Sequence, residues 1–288
     1  HNGRRRQRQM CIRDRTNTSG LDVSTVNATG SSTDAVITPS TIESALSSAN
    51  VSLTASRDIK VQQPITLSPS SNTLTLNSGD SIVVDQAITG GNALNLHSDG
   101  GVAVNAELSA NTIDIRANSS GGLSGSGNIS TTSSLEALQA GNTTYSGQIS
   151  GTGILRKNGT GKLSLTGVKS FTGDTTVNAG TLESVGTAMS SAVAVAAGAT
   201  YEIDLVSASD STTYSKIISG EGSFVKSGAG DLTFDQVHSY SGPTTISDGK
   251  LNTKSTGSLS SSTALAVSSG ATYELGSDDE VASISGSG

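Results

Sequence analysis

Apolar and polar residues alternate over short stretches along most of this chain, and the alternation predicts a succession of short β-strands. In residues 50–116 these stretches are separated by Gly, Asn, Asp and Ser, which are the residues of tight turns. Four stretches open with an asparagine at nearly regular intervals: Asn50, Asn72, Asn92 and Asn111. The first three are followed by a second apolar pair: Ile59–Val61, Ile82–Val84 and Val102–Val104. About twenty residues with two or three strands correspond to one coil of a parallel β-helix.

The second half of the chain contains one pattern twice, at a constant offset and without a gap. The first copy lies in residues 149–182 and the second in residues 218–251. Each copy contains Gly-x-Gly, then Lys-x-Gly-x-Gly with a short alternating strand, then an aromatic residue before Ser/Thr-Gly, and finally Thr-Thr-Val/Ile-x-x-Gly-x-Leu. We interpret the offset as about three coils. Repeats of this kind predict stacked units that bury their apolar faces against each other.

These patterns predict an all-β chain that folds as a parallel β-helix, or solenoid. Strands of successive coils pair about 4.8 Å apart, so inward-facing positions lie above one another. About thirteen coils would form a rod on the order of 60 Å long. Ahead of the coils one short helix is predicted, with Thr38 as N-cap, Pro39 in the first helical position, and an apolar face of Ile42, Ala45 and Leu46 that covers the end of the rod.

The same signals divide the chain into regions. Residues 118–134 are rich in Gly, Ser and Thr and mark a seam between two groups of coils. The predicted regions are a non-native leader at 1–15, a weakly ordered segment with the helix at 16–49, coils at 50–134, and coils with the repeats at 135–288. The repeats occupy 149–217 and 218–283, and a third copy begins at 284, from which we expect the chain to be a fragment.

Composition favours a thin core over a compact globule. Apolar residues make up 33% of the chain and aromatic residues 3%, while glycine reaches 34 residues. Such a chain cannot fill a thick core, but a single layer of strands wrapped around itself needs only a thin one. Low hydrophobicity with abundant Ser and Gly also characterises disordered chains, and the strict alternation argues against that alternative.

Charge is distributed unevenly. The whole chain carries a formal net charge of −7, but residues 1–15 contain six arginines against Asp14, so residues 16–288 lie near −12. An acidic body disfavours nucleic acid and anionic membrane surfaces as partners, and no apolar run is long enough for direct membrane insertion. The arginine-rich segment shares no pattern with the rest, and we interpret it as a junk leader. It contains Cys11, so the remaining residues form neither a disulfide nor a Cys-based metal site.

No catalytic, cofactor-binding or metal-ligating set emerges from the sequence. His97 and His238 lack a partner at metal-ligand spacing, and we interpret both as solvent-exposed turn residues. No nucleophile elbow is present, although the many serines leave a Ser-His-Asp set open. Residues 159–162 (Gly-Thr-Gly-Lys) resemble part of a phosphate loop, but Arg156 and Leu163 stand where that motif needs Gly and Ser/Thr. These glycines are therefore predicted to form turns.

Carboxylates and aromatic residues offer two further candidates. The densest acidic run is Asp278-Asp279-Glu280, which either binds Ca²⁺ weakly or is a solvated loop. All eight aromatic residues lie beyond residue 144, and five recur in register with the repeat. They form either a carbohydrate-stacking strip or stacks between adjacent coils, and the second interpretation is favoured because they follow the structural period. The remaining carboxylates considered are scattered along the chain: Asp204, Asp231, Asp235 and Asp248.

The two copies resemble the passenger-associated repeat of bacterial autotransporter proteins. Residues 149–182 match its pattern well, whereas 218–251 match with changes, since Pro243 follows Gly242 and Asp235-Gln-Val replaces the usual Ser-Gly. The coils at 50–116 resemble the β-helix of the filamentous-haemagglutinin group of secreted adhesins. These resemblances imply a right-handed parallel β-helix that is exported by type V secretion, with a repeat that assists export.

The resemblance implies a structural and adhesive passenger at the cell surface or in the extracellular space, mediating attachment or aggregation. Its implied partners are an outer-membrane β-barrel translocator, on the same chain in an autotransporter, and glycans or proteins of host or bacterial surfaces. We expect no cofactor and no enzymatic activity. The alternatives are a polysaccharide-degrading β-helix enzyme and an inert stalk for an effector head. An enzyme is expected to bring three or more carboxylates or basic groups together in one groove.

Overall fold

The computed structural model describes residues 10–12, 26–28, 35–67, 71–276 and 279–288, with side chains from Ile37 onward. Within them the chain is all-β, with 3% helix, and its parallel sheets stack as a solenoid of about 12 turns. The predicted fold class is therefore confirmed, and the number of turns is close to the thirteen coils expected. Most of the predicted leader and of residues 16–34 lies outside the described residues.

The strands are short, and tight corners separate them. The first part of the chain contains β1 (Met10–Ile12), β2 (Val26–Ala28), β3 (Ala35–Ile37), helix α1 (Pro39–Leu46), β4 (Val51–Ala55), β5 (Ile59–Val61), β6 (Ile65–Leu67), β7 (Thr73–Ser78), β8 (Ile82–Val84), β9 (Ile88–Gly90), β10 (Ala93–Ser98) and β11 (Val102–Val104). The middle part contains β12 (Leu108–Ala117), β13 (Leu123–Ser124), β14 (Ile129–Gln139), β15 (Thr143–Tyr145), β16 (Ile149–Gly151), β17 (Ile154–Asn158), β18 (Lys162–Leu165), β19 (Thr175–Val177), β20 (Thr181–Val185), β21 (Val193–Val195) and β22 (Thr200–Asp204). The last part contains β23 (Ser211–Tyr214), β24 (Ile218–Gly220), β25 (Ser223–Ser227), β26 (Asp231–Phe234), β27 (Ser239–Tyr240), β28 (Thr244–Ile246), β29 (Lys250–Thr253), β30 (Ala264–Val267), β31 (Thr272–Glu274) and β32 (Ser283–Gly286).

Each turn contributes up to three strands, and strands of successive turns stack in parallel as three columns. Column 1 contains β4, β7, β10, β17, β19, β21, β24 and β27, together with the last residues of β12 and β14. Column 2 contains β5, β8, β11 and β13, continued by β15, β18, β20, β22, β25, β28, β30 and β32. Column 3 contains β6, β9, the first residues of β12 and β14, β16, and then β23, β26, β29 and β31. Strand β14 runs through the predicted seam and pairs with β12 on one side and with β16 and β17 on the other.

The core is a stack of like side chains, because residues two apart on a strand point to the same side. In column 1 the buried positions of successive turns are in register. One such row contains Leu53, Leu76, Leu96, Ile115 and Ala137, all fully buried. Full burial of one large aliphatic side chain stabilises the fold by about 1.5–3 kcal/mol, so a thin but continuous row of this kind holds the turns together.

Helix α1 lies against the first turns, as the sequence predicts. Pro39 is its first residue, and Ile42 and Leu46 are buried against the core. Thr38 is the N-cap residue, as predicted, but its side chain makes no capping hydrogen bond. Its Oγ1 bonds the Thr41 hydroxyl at 2.8 Å, and the amides of Thr41 and Ile42 donate to the Thr38 carbonyl. Glu43 ties the helix to β6 by accepting a hydrogen bond of 2.7 Å from the Thr66 amide.

Corners between columns are built from stacked glycines. At Gly161 a Cβ would overlap the carbonyl of Gly141 one turn below, and at Gly141 it would overlap the carbonyl of Ser120. Backbones of neighbouring turns therefore approach too closely at this corner for any side chain. This close approach, repeated at several corners, accounts for much of the high glycine content.

The offset between the two copies is three turns and one further strand, close to the three coils expected. Leu155 pairs with Thr175, Thr175 with Val193 and Val193 with Ile218, so three turns lead from Leu155 to Ile218. The residue that corresponds to Leu155 in the second copy is Phe224, which lies one strand beyond Ile218, in β25 of column 2. The second copy is therefore rotated by one column relative to the first, because the corners of individual turns differ in length.

Candidate functional site

The first copy of the repeat is centred on a buried lysine. Lys157 lies on β17 in phase with Leu155, and its side chain is fully buried. Its Nζ donates hydrogen bonds to the carbonyl oxygens of Asn158, Gly159 and Ala179, at 3.0, 2.8 and 3.0 Å. The first two acceptors belong to its own corner and the third to the next turn. The ammonium group therefore binds two successive turns together.

The second copy contains the same arrangement, although it lies in a different column. Lys226 on β25 is fully buried, and its Nζ donates to the carbonyl oxygens of Ser227, Gly228 and Asp248, at 2.9, 2.7 and 3.2 Å. The three acceptors stand at the same distances along the chain from the lysine in both copies. Gly159 and Gly228 have φ angles of 77° and 71°, which confirms the prediction that the glycines of this motif form turns. We call the two arrangements the lysine clamps.

Burial changes the acid–base properties of the clamps. It lowers the pKa of Lys157 from 10.5 to about 8 and also lowers the pKa of Lys226. A third lysine, Lys169, is buried, donates to the carbonyl oxygens of Leu165 and Val185, and has its pKa lowered to about 8 by burial. The burial of these three lysines was not predicted, although Lys157 and Lys226 occupy the inward phase of their alternating strands.

The aromatic residues lie inside the solenoid. Seven of the eight are buried: Tyr145, Phe171, Tyr201, Tyr214, Phe224, Phe234 and Tyr240. Rings in adjacent turns contact each other, such as Tyr201 with Phe224 at 6.1 Å and Tyr214 with Phe234 at 6.2 Å between centroids. The prediction of stacks between coils is therefore confirmed. The alternative, a carbohydrate-stacking strip, is wrong for these residues because solvent does not reach them.

His238 joins this aromatic cluster, so its interpretation as an exposed turn residue is wrong. Only 2% of the residue is exposed, its ring packs against Phe234 with 4.0 Å between centroids, and its Nδ1 accepts a hydrogen bond of 3.0 Å from the Ile218 amide. Burial lowers its pKa to about 4. Because Nδ1 already accepts a backbone proton, no aspartate can orient this ring in the manner of a Ser-His-Asp set.

The interpretation of His97 as a turn residue is also wrong, because it lies on strand β10. Its Nε2 lies 3.2 Å from Asp114 Oδ2, and Arg116 lies on the other side of the same carboxylate at 2.8 Å. Despite some desolvation, hydrogen bonds from His97 and Arg116 hold the pKa of Asp114 below its usual value. The histidine therefore belongs to a partly exposed charge cluster on the outer side of column 1.

A second charge cluster lies on the outer side of column 2. Lys162 Nζ forms ion pairs with Glu183 and with Glu202, the latter at 3.0 Å, and Glu202 also accepts a hydrogen bond of 2.7 Å from the Ser227 hydroxyl. Nearby, desolvation and the two glutamates raise the pKa of Asp204. The other carboxylates singled out from the sequence each have a separate local partner: Asp231 with Lys250, Asp235 with Ser215, and Asp248 with the Gly249 amide.

The acidic run near the end of the chain is only partly described, since Asp278 lies outside the described residues. Asp279 Oδ2 accepts hydrogen bonds from the Leu259 amide, at 3.1 Å, and from the Tyr273 hydroxyl. Among the described residues, no group of three or more His, Cys, Asp or Glu side chains is placed to hold a metal ion. Within the same described residues, no helix is long and apolar enough to cross a membrane.

The fold and the clamps define a parallel β-solenoid whose turns are joined by an internal repeat. Residues 155–183 and 224–252 match the family model of the passenger-associated-transport-repeat. Each match contains one lysine clamp. No curated protein and no solved structure gives a significant match to the chain.

The two repeats on a β-solenoid are consistent with an autotransporter passenger, and the repeat implies association with an outer-membrane translocator. The recognition made from the two copies is thereby confirmed.

Proposed function

We propose that the chain is an adhesive stalk, a rigid passenger at the cell surface that mediates attachment or aggregation. The observation that supports this proposal is the continuity of the solenoid. Buried rows run through all three columns, and the lysine clamps lie inside, so the outward-facing positions are left free to vary. An acidic outer surface rich in Ser, Thr and Asn suits many weak contacts better than one deep pocket.

The two clamps support a role of the repeats in export. Each clamp joins one turn to the next through a charge-assisted hydrogen bond, at 3.0 Å for Ala179 and 3.2 Å for Asp248. A turn that emerges from the translocator is then held by the turn before or after it as soon as both are outside. Folding in this order would hinder backward movement of the chain.

A second candidate, a polysaccharide-degrading enzyme, is favoured by one observation. Glu183, Glu202 and Asp204 lie close together with Lys162 on the outer side of column 2, and the raised pKa of Asp204 suits a general acid. Against it, Lys162 pairs with both glutamates and Ser227 occupies one oxygen of Glu202. These side chains form ion pairs and hydrogen bonds with one another across turns. Because they are paired in this way, we favour the stalk over the enzyme.

The test uses fluorescent beads that carry the purified chain, incubated with epithelial cells and with bacteria. We expect attachment above that of beads carrying an unrelated protein of equal net charge. Absence of attachment to any surface would identify an inert stalk instead. Release of reducing ends from polysaccharides, lost in Asp204→Asn, would establish the enzyme and overturn the proposal.

A further inference from the structure

A groove of about 420 Å³ lies beside the last turns of the solenoid. Most of its lining residues carry hydroxyl or carboxylate groups, and two are aliphatic. The lining consists of residues 237–239, 258–262 and 279–280. A volume in this range accommodates a small organic ligand. None of the lining residues is a lysine or an arginine.

His238 offers a hydrogen-bond donor at this groove. Nδ1 accepts a hydrogen bond of 3.0 Å from the Ile218 amide, so the proton of the neutral ring resides on Nε2. Nε2 is buried and has no hydrogen-bond partner within the described part of the chain. A buried N–H group without a partner destabilises the fold, and a bound acceptor would remove that cost.

Asp279 offers the matching acceptor. Its Oδ2 is held by the Leu259 amide at 3.1 Å and by the Tyr273 hydroxyl, which fixes the orientation of the carboxylate. Its Oδ1 is buried and, among the described residues, has no hydrogen-bond partner. Two residues that line the groove therefore carry an unpaired buried donor and an unpaired buried acceptor within the described part of the chain.

An apolar edge flanks these polar groups. Val237 lines the groove and is 62% exposed, and Ile217, at the equivalent position one turn earlier, is 45% exposed. These are two of the few large aliphatic side chains that the described part of the solenoid leaves in solvent. A ligand with one apolar face and several polar edges would cover them.

The chemistry of the lining selects the class of ligand. Two carboxylates, Asp279 and Glu280, repel an anion, and the Nε2–H group of His238 cannot bind a cation. A ligand hydroxyl group can accept a hydrogen bond from His238 Nε2 and donate one to the Asp279 carboxylate. We propose that this groove binds a neutral, hydroxyl-rich ligand of the size of one or two sugar rings, with a ligand hydroxyl between His238 Nε2 and Asp279 Oδ1.

Two observations agree with this assignment. Burial keeps the pKa of His238 near 4, so the ring stays neutral and keeps the single Nε2 proton at physiological pH. The consecutive lining positions 258–262 include four serines, whose hydroxyl groups can adapt to a sugar. The inference rests on the proposed adhesive role and deepens it by naming a receptor class and a site.

The test is titration of the whole chain with glucose, galactose, mannose and N-acetylglucosamine, followed by saturation-transfer NMR and calorimetry. We expect saturable binding of at least one of these sugars. Asp279→Asn retains an oxygen for the Leu259 amide but presents an N–H group to the ligand, so it should weaken binding at least tenfold. His238→Phe keeps the ring stacking and should do the same. Glu221→Gln, an exposed change outside the groove, should have no effect.

Circular dichroism and urea midpoints establish that each variant is folded, and Asp279→Asn is the decisive variant if His238→Phe unfolds. Binding of none of the sugars by the folded chain overturns the inference. So does equal or tighter binding of sialylated or sulfated sugars, or capture of a protein ligand that Asp279→Asn abolishes without any sugar binding. Sugar binding without attachment of beads to cells would refute the adhesive role while leaving the groove assignment intact.

Discussion

A lysine inside an apolar solenoid is costly unless its ammonium group finds enough acceptors. At the two clamps the acceptors are carbonyl oxygens of corners, where the backbone leaves the strand ladder. The buried ammonium groups of Lys157 and Lys226 and the carbonyl oxygens of the corners therefore satisfy each other's hydrogen-bonding capacity. The recurrence of the same three acceptor positions in both copies explains why the repeat has a lysine at this place.

Removal of a clamp should destabilise the chain. Lys157→Met keeps the length and apolar stem of the side chain but leaves the carbonyl groups of Asn158, Gly159 and Ala179 without this donor. We expect a loss of about 1–3 kcal/mol in the free energy of unfolding, measured by urea denaturation. Lys216→Met, at an exposed lysine, is the matched control and should change stability by less than about 0.5 kcal/mol. Equal effects of the two substitutions would contradict the role of the clamp.

Stability should pass through a maximum on the alkaline side. Burial lowers the pKa of Lys157 and Lys169 from 10.5 to about 8, so between these values the unfolded chain binds more protons than the folded chain, and stability rises with pH. Buried tyrosines such as Tyr214 and Tyr240 have their pKa raised above 10.0, so stability falls above that pH, where only the unfolded chain ionises. Urea midpoints should therefore be higher at about pH 9.5 than at about pH 7.5 and lower again at about pH 11.

The double variant Lys157→Met, Lys169→Met provides the control for this pH profile. It lacks two of the buried lysines but keeps Lys226, whose pKa burial also lowers, so its midpoint should rise less over that interval than that of the unchanged chain. The fall above pH 10.0 should remain, because the tyrosines are unchanged. A rise of the same size in the double variant would show that Lys157 and Lys169 do not cause it.

Strands in the first two columns were predictable, because they alternate strictly and recur at similar spacing. Val51–Ala55 and Ile59–Val61 have the burial patterns that their sequences imply. Strands of column 3 carried a weaker signal, because the two inward apolar residues of Ile65–Leu67 are not repeated one turn later, where only the first residue of Ile88–Gly90 is buried. The groove could not be predicted, because His238 and Asp279 lie far apart along the chain and line the same groove only through the stacking of turns.

Glycines at stacked corners should tolerate no side chain. In Gly161→Ala the new Cβ would overlap the Gly141 carbonyl, and every close neighbour is backbone, so the turns must separate. We expect a loss of about 1–3 kcal/mol, typical of overpacking, measured by thermal or urea unfolding. Gly101→Ala is the matched control, because its nearest neighbour, the Gly122 carbonyl oxygen, would lie at an ordinary 3.4 Å. A similar loss in both variants would mean that close approach does not explain the glycine at 161.

Rotation of the second copy by one column shows that the sequence repeat and the structural turn are separate periods. The clamp of the first copy joins columns 1 and 2, and that of the second joins columns 2 and 3. Each corner needs only a lysine in the inward phase and carbonyl groups within reach, so the motif functions in any column. A stack of about 12 turns, roughly 58 Å long at the spacing of paired strands, can therefore carry the repeat at different sides of the rod.

Removal of whole turns should shorten the rod without unfolding it. Leu155 and Ile218 occupy the same position in column 1, three turns apart, so deletion of residues 155–217 joins Ile154 to Ile218 with every following strand in phase. X-ray scattering should show a rod shorter by about 14 Å, with strand content per residue unchanged. Deletion of one further residue, 155–218, places Ser219 inside and removes an apolar residue from the row. It should lower the urea midpoint, because a shift of one residue turns every side chain of the strand to the opposite face. Equal stability of the two deletions would contradict the stacking of inward positions on which the fold depends.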